Sequence, residues 1–297
     1  MAQEQQEVHV PVLRDAVLNS LGPRPGGIYV DATLGLGGHA EAILRAMPPV
    51  GRLIGFEWDA DAARMAAQRL AGYGERFELV RASYADLVPE LDRLGVTGID
   101  GLIADLGVSS LQLDLLERGF SFRGDHPLDM RMDRSRPMTA AMLVADLSEQ
   151  ALADIFYYYG EERQARRIAR FLVQAREEEP VATTGRLAAV VAAAVPRKHH
   201  PPKVHVATKV FQGLRIAVNG ELENVTRLLA EAPVVMLPGA RICMITFHSL
   251  EDRIVKQAFA GNPAYAVVSR RPVLPTGGEI GHNPRARSAK LRVAARR

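Results

Sequence analysis

Three carboxylates are spaced so that each closes a short apolar run. Ile28-Tyr-Val-Asp31 leads into the glycine-rich stretch Gly35-Leu-Gly-Gly-His39, Leu53-Ile-Gly-Phe56 is followed by Glu57, and Gly101-Leu-Ile-Ala104 by Asp105. Runs of this kind predict buried strands of a parallel sheet, with a ligand crevice at the carboxyl edge where the acids lie. Gly35, Gly37 and Gly38 let the backbone turn tightly and approach a ligand before a helix that starts near His39. The same stretch satisfies the dinucleotide fingerprint G-x-G-x-x-G/A, and Glu57 stands at the spacing of its ribose-binding acid, so the glycines alone leave NAD open. The acids decide between ligands. Asp31, four residues before Gly35, and Asp105 would attract a cation and repel a diphosphate. That favours S-adenosylmethionine, which carries an ammonium and a sulfonium. Glu57 suits ribose hydroxyls in either case, and Tyr84 is placed to pack against an adenine ring or to sit half-buried in the core.

The elements that must hold these residues follow from pattern. Strands are expected at 28–33, 52–57, 77–81 and 100–105, with helices at 38–47 and 59–71 between them, which implies right-handed crossovers and a parallel sheet. From Leu113 to Val206 no strand is expected. Residues 119–137 read as irregular, Ser148 caps a helix through Tyr159, and Gly160 interrupts it. The next helix would carry Arg163, Arg166, Arg167 and Arg170 as one basic stripe beside Ile168, Ala169 and Leu172. Thr184 would cap a helix over 185–195, and another runs from about 207 to 231. Leu237-Pro-Gly-Ala240 signals a turn before a fifth strand at 241–247. A helix at 250–259 with Ser249 as N-cap follows, then 264–269 and 289–294 as an antiparallel edge. The simplest architecture is an α/β domain (1–113 with 207–297) interrupted by a mainly helical insertion (114–206) assigned to substrate recognition.

The net charge is only +3, but its distribution is uneven. Between Glu179 and Glu221 there is no acid, while Arg186, Arg197, Lys198, Lys203, Lys209 and Arg215 fall there with His199, His200 and His205. The tail from Gly281 onward is also free of acids and carries Arg285, Arg287, Lys290, Arg292, Arg296 and Arg297. Such windows are the footprint of a protein that neutralises nucleic-acid phosphates. No apolar stretch approaches the roughly 18 residues of a membrane span, and no signal peptide precedes His9. The lone Cys243 excludes an intramolecular disulfide, fits a reducing cytoplasm and reads as a core residue. The first seven residues read as a disordered lead-in. The three clustered histidines lack the spacing of a metal site, so no metal is expected. His248, Ser249, Glu251 and Asp252 have no nucleophile elbow, which favours a structural or substrate-lining role over covalent catalysis.

Several blocks are more specific than any of these patterns. They are His9-Val-Pro-Val-Leu13, Asp105-Leu-Gly-Val-Ser-Ser-Leu-Gln112, Arg118-Gly-Phe-Ser-Phe122, Pro127-Leu-Asp-Met-Arg-Met132, Gly160-Glu-Glu-Arg163, Thr246-Phe-His-Ser-Leu-Glu-Asp-Arg253 and Asn283-Pro-Arg-Ala-Arg-Ser288. In this order, from about residue 8 to the C-terminus, they resemble the bacterial small-subunit ribosomal RNA N4-cytosine methyltransferases, the RsmH or MraW family. The resemblance implies a class I S-adenosylmethionine-dependent methyltransferase fold, Rossmann-like, with an inserted helical domain. It also implies S-adenosylmethionine as methyl donor and N4 of a decoding-centre cytidine as acceptor, in naked ribosomal RNA or in the small subunit. Carried over by position, Gly37, Gly38, His39, Glu57, Tyr84, Asp105 and Gln112 would contact the cofactor, beside Asp31 and Gly35. The family commonly has Asp where this chain has Glu57 and often Phe in place of Tyr84, which leaves contact geometry at those two positions open. Asp105 is the candidate catalytic residue, an acceptor for the amine protons. Phe120 and Phe122, flanked by Arg118 and Arg123, are candidates to receive the extruded base or, equally, to anchor an irregular loop to the core. Asp129, Arg131, Arg163, Lys209 and His248 are further candidates for the substrate side, with Asp129 and Arg131 alternatively a structural ion pair. A catalytically silent RNA-binding assembly factor on the same fold is the alternative reading. Monomer and homodimer both stay open.

Overall fold

The computed structural model describes residues 11–47 and 51–297; the lead-in and the His9-Val10 start of the first block lie outside them. The chain divides into two compact units, 1–107 with 222–297 and 108–221. These limits differ from the expected 113/114 and 206/207. The helix 208–219 groups with the insertion because it packs on the segment 155–160: Gln212 Nε2 donates to Tyr159 O at 2.9 Å and Lys209 Nζ to Glu161 O at 2.7 Å.

In chain order the first unit begins with α1 (Arg14–Leu21), β1 (Ile28–Asp31), α2 (Gly38–Ala46), β2 (Arg52–Phe56), α3 (Ala60–Leu70), β3 (Phe77–Val80), α4 (Leu87–Arg93) and β4 (Ile99–Asp105). The second holds α5 (Ser110–Asp114), α6 (Ala140–Asp146), α7 (Glu149–Asp154), α8 (Ala165–Glu178), α9 (Thr184–Ala194) and α10 (Thr208–Asn219). The chain then returns through α11 (Glu221–Val235), β5 (Met236–Thr246), α12 (Ser249–Gly261), β6 (Tyr265–Val267), α13 (Gly277–His282) and β7 (Lys290–Arg296).

Among the described residues seven strands form one sheet in the order β3-β2-β1-β4-β5-β7-β6, parallel except for β7, which runs antiparallel to both neighbours. This is the class I methyltransferase sheet, Rossmann-like with an added antiparallel strand. Both faces are covered, as an all-apolar strand pattern requires. Val30, Ile54, Leu102, Ile242 and Met244 point to one side with Leu87, Leu91, Leu228 and Phe259. Tyr29, Leu53, Ile103, Cys243 and Ile245 point to the other with Val17, Leu21, Ile43 and Leu70. Cys243 is thus a core residue, and burial pushes its thiol up to about 12.

Four local expectations change. The Leu237-Pro-Gly-Ala240 turn lies inside β5 as a bulge: pairing with β4 starts at Met236↔Ile99 and resumes at Arg241↔Gly101 after a register shift. The expected single helix over 207–231 is broken at Gly220, in the left-handed region at φ 64°, into α10 and α11. Thr183, not Thr184, caps α9, accepting from Arg186 N; Thr184 is buried and its hydroxyl accepts from His126 N at 3.1 Å. Arg163 lies before α8, and Arg167 folds back to donate to Ala194 O, so the basic stripe on α8 reduces to Arg166 and Arg170. Ser148 caps α7 as expected, and Gly160 ends the helix at Tyr159.

Candidate active site

β1 sits mid-sheet with β2 on one side and β4 on the other, so their carboxyl ends flank the point where strand order reverses. The turn after β1 is fixed on both sides. Ala32 N donates to Ile103 O at 2.8 Å and Leu34 N to Phe56 O at 2.9 Å. Gly55 in β2 makes room for this, since a Cβ there would meet Leu34 Cδ1 at 2.7 Å. Gly35 and Gly37 adopt φ 51° and 79°, which a side chain disfavours, and a Cβ on Gly35 would meet nothing nearer than Thr33 O at 3.9 Å. The chain therefore offers bare backbone to a ligand just before α2.

Around this turn lie four acids. Glu57 accepts from Gly35 N and from Asp59 N, both at 2.8 Å, so the second-strand acid clamps the glycine turn. Burial pushes its carboxyl up to about 8, the Asp59 and Asp31 charges adding to the effect while the two amides oppose it. Asp31 is 1% exposed; Oδ1 accepts from Thr33 N at 3.1 Å and Oδ2 has no hydrogen-bond partner. Burial raises it to about 7, and the amides of Thr33 and Ala40 only partly offset that. Asp105 has its backbone N–H bound by Thr33 Oγ1 and its Oδ2 3.7 Å from His39 Nε2. Burial first, then the charges of Asp31 and Glu251, hold its carboxyl well above the usual range. Its Oδ1 is covered without a partner, yet a quarter of the side chain stays open. Asp105 is the acid with an exposed face.

Glu251, read from the sequence as structural or substrate-lining, also acts on Asp105, which the sequence did not indicate. It is 1% exposed on α12, and its Oε2 accepts from Phe247 N at 2.9 Å. His248, not Ser249, is the N-cap of α12, and its ring lies 3.1 Å from Glu251 Oε1 in a reciprocal capping box. The signal was present as the Thr246–Arg253 block, but the charge of a helix acid on Asp105 requires β4 and β5 to be adjacent, which only the topology gives. Asp252 is spent elsewhere, pairing with Arg292 at 2.6 Å and Lys290 at 3.3 Å.

The structure thus brings Asp31, Gly35, Gly37, Gly38, His39, Glu57 and Asp105 to one edge. Tyr84 opens a short 3₁₀ turn after β3, partly buried against the core. Gln112 lies in the other unit, buried, with its side chain accepting from Ser109 N at 3.0 Å in a capping box. The substrate-side candidates belong to that unit too, apart from His248. Phe120 is buried; Phe122 stacks on His205 at 4.6 Å and meets Phe211 edge-on at 5.3 Å. Arg123, Arg163 and Lys209 are exposed. Arg118, expected beside the phenylalanines, is instead 1% exposed and donates to Arg131 O and Met132 O, both at 3.0 Å. Asp129 and Arg131 form a bidentate pair at 2.7 and 2.9 Å. Burial would raise the Asp129 carboxyl, but the Arg131 bonds prevail and hold it low.

Buried carboxylates with unpartnered oxygens beside open backbone call for a cationic ligand with hydroxyls, and disfavour a diphosphate. The full length agrees: residues 6–297 match the MraW methylase family. The chain belongs to that family. Among curated relatives, the methyltransferase H of small-subunit ribosomal RNA from Desulfotalea psychrophila is 52% identical over 289 residues, covering 97% of this chain and 98% of its own. The like-named protein of Geobacter sulfurreducens is 48% identical over 304 residues, covering 96% and 98%, and that of Cyanothece sp. 49% over 293 residues, covering 99% and 96%. The chain is an S-adenosylmethionine-dependent methylase, and the donor set described above fits that cofactor. Among the described residues no helix is long and apolar enough to cross a membrane.

Proposed function

We propose that this methylase transfers a methyl group to the exocyclic N4 of a decoding-centre cytidine in small-subunit ribosomal RNA, in the cytoplasm. S-adenosylmethionine, when bound, supplies an electrophilic methyl carbon on a positive sulfur. Asp31 and the turn through Gly35, Gly37 and Gly38 would hold its amino-acid end, with His39 beside them. Glu57 takes the ribose hydroxyls, Tyr84 the adenine face, and Gln112 is carried over as a further cofactor contact. The observation that carries the reading is Asp105, the acid of the cluster with an open face, beside two buried carboxylates.

The cytosine amine is a weak nucleophile because its lone pair is delocalised into the ring. The open face of the Asp105 carboxylate accepts a hydrogen bond from N4–H and favours the developing positive charge on nitrogen. As the N–C bond forms and the S–C bond breaks, one amine proton is lost toward that carboxylate or water. Orientation at near-attack distance supplies much of the remainder. The target base must leave its stack. Phe122, Arg123, Arg163, Lys209 and His248 keep accessible atoms for the RNA, whereas Phe120, Asp129 and Arg131 hold the 119–137 loop that carries Phe122 and Arg123. Transfer of labelled methyl to small subunits lacking the modification tests the proposal, with the product nucleoside identified by mass spectrometry. N4-methylcytidine is expected; label on another atom, or none despite cofactor binding, overturns it.

A further inference from the structure

Residues Ile155–Tyr159 continue α7 as a π-helical turn, a geometry rare enough to need a cause. Phe156 points into the core at 0% exposure, while Tyr157 and Tyr158 stand 58% and 63% exposed. Their rings meet edge-to-face at 5.1 Å. The turn is held tightly from behind. A Cβ on Gly160 would lie 2.4 Å from Lys209 O, and one on Gly213 3.0 Å from Ile155 O, so α10 approaches at backbone contact. Glu162 N returns to Phe156 O at 2.9 Å, and Glu161 takes the left-handed region at φ 51°, a conformation that costs about 1 kcal/mol for a residue with a Cβ. A strained, rigid support thus displays two tyrosines to solvent.

The charges next to them are also unspent. Arg163, Arg166 and Arg170 are exposed and have no carboxylate partner among the described residues. Several other arginines of this unit are engaged, Arg118 and Arg167 on carbonyls, Arg131 on Asp129, Arg215 on Glu221 and Arg186 near Glu179, while Arg123, Arg134 and Arg197 are exposed like these three. Tyr158 and Arg163 are five residues apart, within about 18 Å even for extended chain. Exposed aromatic faces beside free guanidiniums suit unstacked nucleotides, whose bases stack and whose phosphates take arginine forks.

We propose that Tyr157 and Tyr158, with Arg163, Arg166 and Arg170, form a docking platform for unpaired nucleotides of the ribosomal RNA substrate, separate from the cytidine that is methylated. The inference rests on the ribosomal RNA reading above. Charge decides for RNA over a protein partner, because the two tyrosines are followed within twelve residues by three exposed arginines without a carboxylate partner among the described residues.

The test compares the parent with Tyr157→Ala/Tyr158→Ala, Tyr157→Phe/Tyr158→Phe and Arg163→Gln/Arg166→Gln/Arg170→Gln. The readouts are methyl transfer to small subunits, filter retention of a naked small-subunit ribosomal RNA fragment, and affinity for S-adenosylmethionine. Loss of the rings should raise the RNA KM and Kd about tenfold or more, since stacking contributes measurably per base. It should leave kcat and cofactor affinity within about twofold, and the phenylalanine pair should restore binding. The glutamine triple variant should reduce the salt slope of log Kd by about 2, three phosphate contacts on a single strand. Unchanged KM and Kd in the alanine pair overturn the platform. So does an equal loss in the phenylalanine pair, and so does a defect on assembled subunits with naked RNA unaffected, which would assign the surface to a protein. A parent that transfers no methyl to ribosomal RNA defeats the functional reading itself, whereas an active parent with an unaffected alanine pair defeats the platform alone.

Discussion

Replacing Asp31 by Asn should remove a pH dependence from cofactor binding. In the ligand-free protein burial holds the Asp31 carboxyl at about 7, so it is mostly protonated at pH 6. The ammonium of S-adenosylmethionine requires it ionised, and binding must therefore release a proton. With a pKa of about 7 the ionised fraction rises from about 0.03 at pH 5.5 to about 0.76 at pH 7.5, which predicts affinity improving about 25-fold over that range. The range ends there because the amino group of the ligand itself titrates near 8 (about the value of a free α-amine). Calorimetry in buffers of different ionisation enthalpy should detect about 0.9 proton released per ligand at pH 6 from this group. Asp31→Asn should bind more weakly at pH 7.5 and lose most of the slope. S-adenosylhomocysteine keeps the ammonium and lacks the sulfonium, so in the parent it should keep the slope while binding more weakly. A flat parent profile, or an Asn variant with the parent's slope, would refute the assignment of Asp31 to the ligand's amine.

Stability should run the opposite way in the ligand-free protein. Asp31 and Glu57 bind their protons more tightly folded than unfolded, so their contribution is full below about pH 4 and is lost as pH rises through about 7 and 8. Each group removes about 1.4 kcal/mol per pH unit within its window, about 2–3 °C in Tm, and thermal scans with saturating cofactor should show the loss reversed. Asp105→Asn should lower kcat by about 100-fold or more with cofactor affinity nearly kept; full turnover would exclude its role at the amine. Glu251→Gln removes a charge facing Asp105, so the acidic limb of kcat/KM should move to lower pH, and an unmoved limb would separate the two carboxylates functionally. Arg118→Ala strips two buried carbonyls of their donor and should cost about 3 kcal/mol of stability; a Tm change under about 1 °C would contradict the loop's dependence on it.

The sheet was legible because β1, β2 and β4 are buried on both faces and read as apolar runs, each closed by an acid. Gly35 and Gly37 were legible because a ligand turn needs positive φ. Other features depend on three-dimensional adjacency. Leu237–Ala240 carries ordinary turn chemistry, and only pairing with Ile99 and Gly101 converts it into a bulge within β5. Ser249 and His248 are both capable caps; the reciprocal bond with Glu251 selects His248. Arg118 resembled a nucleic-acid contact in sequence, but the Arg131 and Met132 carbonyls reach it only after the loop folds over. The basic tail is likewise partly consumed: Lys290 and Arg292 hold Asp252, and Arg296 donates to Pro233 O at 3.0 Å. Charge counting along a chain cannot separate spent cations from free ones.

The same acids also bear on turnover. A pocket in which Asp31 and Asp105 carry unpartnered oxygens, with the charge of Glu251 acting on Asp105, is electrostatically unfavourable when empty, and the apolar cover on both sheet faces offsets that cost. Methyl transfer converts the positive sulfur to a neutral thioether, so the product leaves the carboxylates with one less positive charge to face. Attraction at 4 Å and an effective dielectric of 20 is about 4 kcal/mol per charge pair, large enough for part of it to separate donor from product affinity. The acids that select a cation over a diphosphate therefore also favour release of the spent cofactor. Their repulsion is best understood as part of the catalytic cycle, because a pocket neutralised by a lysine would bind both forms equally.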